Sequence, residues 1–246
     1  MPPLSADTVV ERVHEALRAE ILSGTVALGS PLREEAAAER FGVSRHTVRA
    51  AFQLLVAERL AVAEAYRGVR VVSFDPDEID ALQQLRAALE GEAVRVAGER
   101  YGDAWPEEVL APAVAVLERL AEIAAEAGAG AREVAGSDEG IDWLEVERLH
   151  ADLHRAIVAA SSSPRIVEAH EALGSELLLF LLHVRPHYTL DGLVAEHREL
   201  LDAVQRRGAD AMREHLAHST ELLRRSGPAA TNVPAASNAR AVPLTQ

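Results

Sequence analysis

The sequence contains no cysteine and no lysine, and only 4% of its 246 residues are aromatic. The absence of cysteine excludes disulfide bonds, thiolate zinc sites and a cysteine nucleophile. The longest apolar run, Leu177 to Leu182, is far too short to cross a membrane, and the first residues lack the basic and apolar regions of a signal peptide. We therefore expect a cytoplasmic protein.

What the chain does have is alanine, leucine, glutamate and arginine in abundance, and 48% of it is hydrophobic. These residue types have high helix propensities, and this hydrophobic content is enough to bury a core. The composition therefore predicts a mainly α fold.

The net charge of −14 is distributed unevenly along the chain. Residues 1–74 hold nine arginines and nine acids and are neutral, so residues 75–246 carry the whole acidic excess. A uniformly acidic protein would repel DNA phosphates, whereas a neutral segment does not. The charge pattern therefore leaves nucleic-acid binding open for the first part only.

The first part has the outline of a winged helix-turn-helix. A helix with an apolar stripe ends at Gly24, a second covers about 33–40, and a third starts at the N-cap Ser44 and runs to about Arg59. A small β-hairpin follows, with its turn at 66–68. A recognition helix and a hairpin wing in this order are typical of DNA-binding domains.

The start of the third helix carries side chains suited to DNA. Arg45 and Arg49 are four residues apart and share a helical face, from which each can pair bidentately with guanine. Ser44 and Thr47 offer hydroxyl groups to phosphate oxygens. The hairpin tip could enter the adjacent minor groove.

These stretches resemble the GntR family of bacterial transcription regulators over nearly all of residues 8–73. The match includes Phe41-Gly42-Val43-Ser44-Arg45 and the wing Arg67-Gly68. Glu35 stands where some members carry a DNA-contacting arginine. The predicted DNA-contacting residues are Arg33, Ser44, Arg45, Thr47, Arg49, Arg67 and Gly68.

Asp75-Pro76-Asp77-Glu78 marks a domain boundary, because it combines a capping aspartate, a proline at the first helical position and a glutamate at the third. We predict a winged helix-turn-helix domain over 1–74, an all-helical effector-binding and dimerisation domain over 75–226, and a disordered tail over 227–246. The helical domain is expected to be an antiparallel bundle. Its predicted helices cover about 77–100, 106–127, 139–160, 164–185, 190–207 and 209–225.

Three of the predicted helices carry histidines on their apolar faces. His150 and His154 are four residues apart on one helix, and His197 and His215 lie on apolar stripes of two others. Converging neutral imidazoles make a competent site for zinc, nickel, copper or iron. We therefore predict that His150, His154, His197 and His215 bind a divalent metal ion, with zinc favoured.

The same region, about 76–225, resembles the FadR-type, or FCD, effector domain of GntR regulators. The matching stretches include His150 to His154, Glu196-His197 and Glu214-His215-Leu216. The resemblance implies metal coordination at positions 150, 154, 197 and 215, and a small organic acid as effector. His150 stands where the family has aspartate, and His170 does not match a family ligand.

Arg86 and Arg185 are candidates to bind an effector carboxylate, because arginine forms charge-assisted bidentate pairs with carboxylates. Surface salt bridges are the alternative role for both. Together these features predict a non-enzymatic regulator, a repressor, that binds a palindromic DNA operator as a homodimer.

Two other functions remain open from the sequence. The first is a helical metalloprotein or metalloenzyme: Glu147-x-x-His150 fits one half of a di-iron carboxylate motif, although a second Glu-x-x-His is missing. The second is a direct metal sensor, in which the ion itself is the signal.

Overall fold

The structure, a computed structural model, describes residues 8–64, 66–130, 141–184 and 189–226. It contains two compact units, one that ends at Ser73 and one that begins at Phe74. Within the described ranges, no helix has both the length and the hydropathy needed to span a membrane. The segment 227–246, for which the sequence predicts disorder, lies outside the described residues.

The first unit contains three helices, α1 (Val9–Leu22), α2 (Glu34–Phe41) and α3 (Arg45–Ala57). Thr8 begins α1 with a capping box, in which its hydroxyl and the Glu11 carboxylate each accept a hydrogen bond from the other residue's backbone N–H. Helices α1 and α2 both pack against α3. The apolar faces that meet here are fully or almost fully buried: Val13, Leu17, Ile21, Val48, Phe52 and Leu55.

The wing of the first unit is a three-stranded antiparallel sheet. Its strands are β1 (Pro31–Leu32), β2 (Ala61–Glu64) and β3 (Gly68–Val71), in the order β1-β3-β2. Pairing of Glu64 with Gly68 confirms the hairpin predicted from the sequence. The sequence does not predict strand β1, because two residues are too few to show an alternating pattern. They pair with a segment nearly forty residues further along the chain.

In the described part of the second unit, every regular element is a helix. Asp75 begins the first of its helices with the expected capping box, since its side chain accepts from Glu78 N at 2.9 Å. The helices are α4 (Pro76–Tyr101), α5 (Glu107–Gly130), α6 (Trp143–Ala159), α7 (Pro164–Glu171), α8 (Gly174–Val184), α9 (Leu190–Arg207) and α10 (Ala209–Ser226).

The prediction of one helix over 164–185 is wrong, because the structure has two, α7 and α8. The break falls next to Gly174, a residue that costs about 1 kcal/mol in a helix relative to alanine. Leu173 N donates to His170 O at 3.0 Å in a tight turn between the two helices. Leu173 is then buried in an apolar cluster with Leu177 and Phe180 of α8.

Helix α6 packs against α4, α5, α7 and α8, while α10 packs against α4 and α9. One apolar cluster joins α6, α9 and α10. Its buried members include Leu153, Ile157, Leu200, Val204 and Met212. This cluster brings together the three helices that carry the predicted metal ligands.

Candidate metal centre and nucleic-acid interface

The four predicted metal ligands meet inside the helical unit. The ring centroid of His197 lies 4.5 Å from that of His150 and 4.8 Å from that of His215. The His154 ring lies 5.2 to 5.4 Å from the other three. Candidate ligand atoms of His150, His154 and His197 all lie within 4.8 Å of one another. The sequence prediction that these side chains converge therefore agrees with the geometry.

Two of the rings are oriented by strong hydrogen bonds at Nδ1. His154 Nδ1 lies 2.7 Å from Oε2 of Glu90, and His197 Nδ1 lies 2.8 Å from the carbonyl oxygen of Leu193. Since both oxygens only accept, each Nδ1 carries the proton and donates it. The Nε2 atoms of His154 and His197 are buried and have no hydrogen-bond partner among the described residues. Nitrogens held in this way are suited to bind a metal ion.

The other two rings lie beside carboxylates. His215 Nδ1 lies 3.0 Å from Oε1 of Glu196, a hydrogen-bond distance, whereas His150 Nδ1 lies 3.6 Å from Oε2 of Glu147, which is too long for a hydrogen bond. Glu147, the carboxylate of the half di-iron motif, is therefore buried beside Nδ1 of a histidine. Three of the four rings thus have an oxygen within hydrogen-bond distance of Nδ1, as metal-binding histidines usually do.

The environment keeps the buried imidazoles neutral. Burial lowers the pKa of His154 to about 4, even though the Glu90 carboxylate acts in the opposite direction. Burial, and then the neighbouring rings, lower the pKa of His150 and of His197 well below the usual value. Neutral imidazole is the form that binds metal ions, so these three rings are ready to bind near neutral pH.

Glu90 is fully buried and joins three side chains. Besides His154, it accepts from Arg86 Nε at 2.9 Å, and its Oε1 lies 3.2 Å from Nε2 of His170. Burial alone would raise the pKa of Glu90, but the Arg86 guanidinium and the His154 ring hold it well below the usual value. The carboxylate is therefore ionised, and it orients His154.

Neither Glu90 nor His170 is among the sequence-predicted site residues. The i, i+4 spacing of Arg86 and Glu90 was the available signal, since oppositely charged side chains at this spacing meet on one helix face. His170 is buried behind Glu90 and therefore contacts a side chain that contacts a predicted ligand.

The four rings enclose a small cavity, which Arg86, Phe180 and Glu196 also line. It offers about 20 Å³ to the centre of a water-sized sphere, which is the space of one water or one ion. The nitrogen ligands, the buried Nε2 atoms of His154 and His197 that have no partner in the described part of the chain, and this space fit a divalent first-row transition metal.

The structure describes only one of the two arginines predicted to bind the effector. Arg86 lines the cavity, but it is 3% exposed and already donates to Glu90 and, at 3.2 Å, to Gln83. Its salt bridge is therefore buried rather than on the surface. Arg185 lies outside the described residues.

In the first unit, the beginning of α3 presents the predicted DNA-contacting face. Ser44 is the N-cap, as expected, and its hydroxyl accepts from Thr47 N at 3.1 Å. Gly42 ends α2 in the left-handed conformation, with φ of 65°, and so permits the tight turn between α2 and α3. Arg45 and Arg49 lie on the exposed face of α3, opposite its buried apolar stripe.

Each of these arginines contacts a glutamate of α2. Arg49 donates from Nε and Nη2 to the two carboxylate oxygens of Glu34, at 2.8 and 2.7 Å. The hydrogen bond from Arg49 lowers the pKa of Glu34. Arg45 Nη2 donates to Oε1 of Glu35.

The wing tip is also exposed. Arg67 lies there with its Nη1 atom 3.7 Å from Oε2 of Glu64. Gly68 has φ of 85°, a conformation that glycine adopts at little cost. Arg33 is exposed immediately before α2. The predicted DNA-contacting residues thus lie on the recognition helix, the wing and the start of α2.

Comparison with known proteins gives two family matches. Residues 9–71 match the family described as bacterial regulatory proteins, gntR family. Residues 81–221 match the FCD domain.

Relatives and solved structures agree with these matches. The chain is 29% identical to the probable D-xylose utilization operon transcriptional repressor of Paenarthrobacter nicotinovorans over 86% of its length and 85% of the relative's. It is 29% identical to the HTH-type transcriptional repressor GlaR of Escherichia coli over 64% of its length and 65% of the relative's.

Two solved structures resemble it. A transcriptional regulator GntR from Rhodococcus sp. RHA1 has a TM-score of 0.61 and 27% identity, and the match covers 86% of this chain and 93% of that one. E. coli McbR/YncC has the same fold, with a TM-score of 0.60, 20% identity and coverage of 90% and 100%.

Proposed function

The chain belongs to the GntR family of bacterial regulatory proteins that carry an FCD domain, and we propose that it is a homodimeric repressor controlled through a metal centre. Membership of this family makes it a DNA-binding transcriptional regulator. The proposal adds the residues that contact DNA, the metal ligands and the kind of effector. It also assigns repression, because two relatives are named repressors.

We assign base reading to Arg45 and Arg49 and groove contact by the wing to Arg67 and Gly68. The support is that both α3 arginines are exposed at the beginning of a helix whose opposite face is buried. One short recognition helix makes too few base contacts for genomic specificity, so two copies reading a palindrome are expected. Arg33, Ser44 and Thr47 are assigned to the DNA backbone.

The metal-binding proposal is carried by one observation: four buried rings converge, and three of them have an oxygen within 3.0 Å of Nδ1. The ligands are His150, His154, His197 and His215. An all-imidazole set favours zinc, with nickel, copper or iron as alternatives. When bound, the ion supplies a concentrated positive charge to which an anion can bind.

A small carboxylate is the proposed effector. The ion would lie beside the Arg86 guanidinium, so a carboxylate that reaches the ion from outside the small cavity would meet positive charge. An effector changes operator binding only by its difference in affinity between the two DNA-binding states.

A direct metal sensor is the second candidate, because Arg86 is already paired with Glu90 and the cavity offers the space of a single ion. In that case the metal, with no organic ligand, would change the affinity for the operator.

Both candidates are tested on DNA selected from a random pool with the full chain. Operator affinity is then measured after chelation, after zinc is restored, and with zinc plus a series of small carboxylates. A palindromic selected site supports the dimer. A response to carboxylate that requires zinc supports the effector proposal, and a response to zinc alone supports the sensor. A chain that takes up no metal would refute both.

A further inference from the structure

Glu35 and Arg45 form an exposed pair next to the proposed base-reading surface. Glu35 lies in the first turn of α2 and Arg45 is the first residue of α3. Arg45 Nη2 donates to Oε1 of Glu35, while 60% of the Arg45 side chain and 77% of the Glu35 side chain remain exposed. The Glu35 carboxylate is therefore exposed on the same surface as Arg45, the arginine proposed to read guanine.

The neighbouring pair, Glu34 and Arg49, is built differently. Both oxygens of Glu34 accept from Arg49, and only 33% of the Glu34 side chain is exposed. Glu34 therefore holds Arg49 in a fixed orientation. Glu35 makes one contact with Arg45, and a carboxylate offers about four acceptor positions. Glu35 thus keeps acceptor capacity for another partner.

The chemistry of the major groove indicates that partner. Cytosine presents its N4 amino group there, and glutamate accepts from it, whereas guanine presents O6 and N7, to which arginine donates. Arg45 has five N–H donors and uses one of them on Glu35, so it can contact guanine and Glu35 at the same time.

We propose that Glu35 is a specificity-determining residue that reads cytosine beside the guanine read by Arg45, in the same base pair or in the next one. The inference rests on the proposed DNA-reading role of α3 and extends it to α2. It predicts that Glu35 and Arg45 recognise the DNA sequence together. Thymine in place of the cytosine should weaken binding, because its O4 atom is a hydrogen-bond acceptor, as are the carboxylate oxygens of Glu35.

The rival explanation is that Glu35 only reduces affinity by repelling phosphates. The two explanations differ in what they do to base preference. Repulsion acts equally on every sequence, because phosphates carry no sequence information, whereas a hydrogen bond to cytosine acts at one position. Glu39 provides the matched control, since it is also an exposed glutamate of α2.

The experiment uses the full chain and the operator selected from a random pool. Affinities for every single base-pair substitution of one half-site are measured for wild type, Glu35→Ala, Glu35→Gln and Glu39→Ala. Wild type is expected to discriminate roughly tenfold in favour of cytosine at one position. Glu35→Ala loses this preference, and Glu35→Gln shifts it toward adenine, which glutamine reads bidentately.

The proposal is overturned if Glu35→Ala strengthens binding to all sites by the same factor as Glu39→Ala and leaves every base preference unchanged. Failure of the parent proposal has a different signature, because wild-type protein would then enrich no sequence from the pool at all. Glu35 is exposed, so the substitutions are not expected to disturb folding.

Discussion

Glu90 on α4 accepts a 2.7 Å hydrogen bond from Nδ1 of His154 on α6, and both side chains are almost completely buried. The bond holds the imidazole proton on Nδ1 and leaves Nε2 as the ligand atom. Because Glu90 also contacts Arg86 and His170, three side chains from two helices, α4 and α7, determine the orientation of one proposed ligand on α6.

Glu90→Gln should therefore weaken zinc binding without removing a ligand. Loss of the charge reduces the basicity of His154 and allows the ring to rotate, and changes of this kind typically cost about ten- to a hundredfold in metal affinity. The measurement is a zinc titration against a competing chelator.

The matched control is Glu92→Gln, an exposed glutamate two residues further along α4. It should leave zinc affinity unchanged. Equal zinc affinity in Glu90→Gln and wild type, with both proteins folded by circular dichroism, would contradict the orienting role.

His154→Ala and His197→Ala should each abolish tight zinc binding, because each removes a buried nitrogen from the proposed site of four ligands. Zinc at about a hundred times its Kd should stabilise wild type by about 2.7 kcal/mol, and neither variant should gain this. His218→Ala is the control, since His218 is exposed on α10, three residues beyond His215. A zinc-induced rise in Tm that persists in both ligand variants would argue against the site.

The metal-free protein should lose stability as the pH falls from about 6.5 toward 4. The pKa of His154 is about 4 in the folded protein, and the ordinary histidine value of about 6.5 applies after unfolding. Between these values the unfolded chain binds a proton that the folded chain excludes, so acid favours unfolding, by on the order of 3 kcal/mol for this ring.

Urea unfolding of chelator-treated protein between pH 7.5 and 4 measures the effect. His154→Gln should show a shallower fall in the free energy of unfolding than wild type, while His218→Gln should follow wild type. Parallel curves for wild type and His154→Gln would show that this ring does not govern the acid response.

The sequence predicts those parts of the structure that depend on neighbouring residues. The capping box of Asp75 and Glu78 lies within four positions, and its prediction is confirmed. The inward direction of His150 and His154 follows from their spacing of four on an apolar helix face, which the structure confirms. Both features are set by helical geometry alone.

Contacts between residues that are far apart in the sequence cannot be predicted from such local patterns. Glu90 and His170 are eighty positions apart, and only the packing of α4 against α7 brings them together. Strand β1 is stabilised by pairing with β3 rather than by its own pattern. The pairing of Glu35 with Arg45 likewise depends on the angle between α2 and α3, which no spacing in the sequence specifies.

Arg45→Ala and Arg49→Ala should each weaken binding to the selected operator by about 1–3 kcal/mol, because each removes a proposed bidentate contact with guanine. Electrophoretic mobility shift on the operator and on random DNA measures the loss. The effect should be larger on the operator. Arg12→Ala, which removes an exposed charge from α1, should affect both DNAs equally. If the α3 variants lost equal affinity for both DNAs, Arg45 and Arg49 would contact only phosphates and would not read bases.

The division of charge predicts how two fragments should behave. Residues 1–74 are neutral and contain α3 and the wing, while residues 75–246 carry the entire net charge of −14. Fragment 1–74 should bind the operator weakly, because it lacks the proposed dimerisation domain that doubles its base contacts. Fragment 75–246 should sediment as a dimer, bind zinc and leave DNA unbound, because acidic surfaces repel phosphates. Analytical ultracentrifugation and mobility shift test both fragments. Operator binding by fragment 75–246, or a monomeric 75–246, would contradict the proposed division of labour between the two parts of the chain.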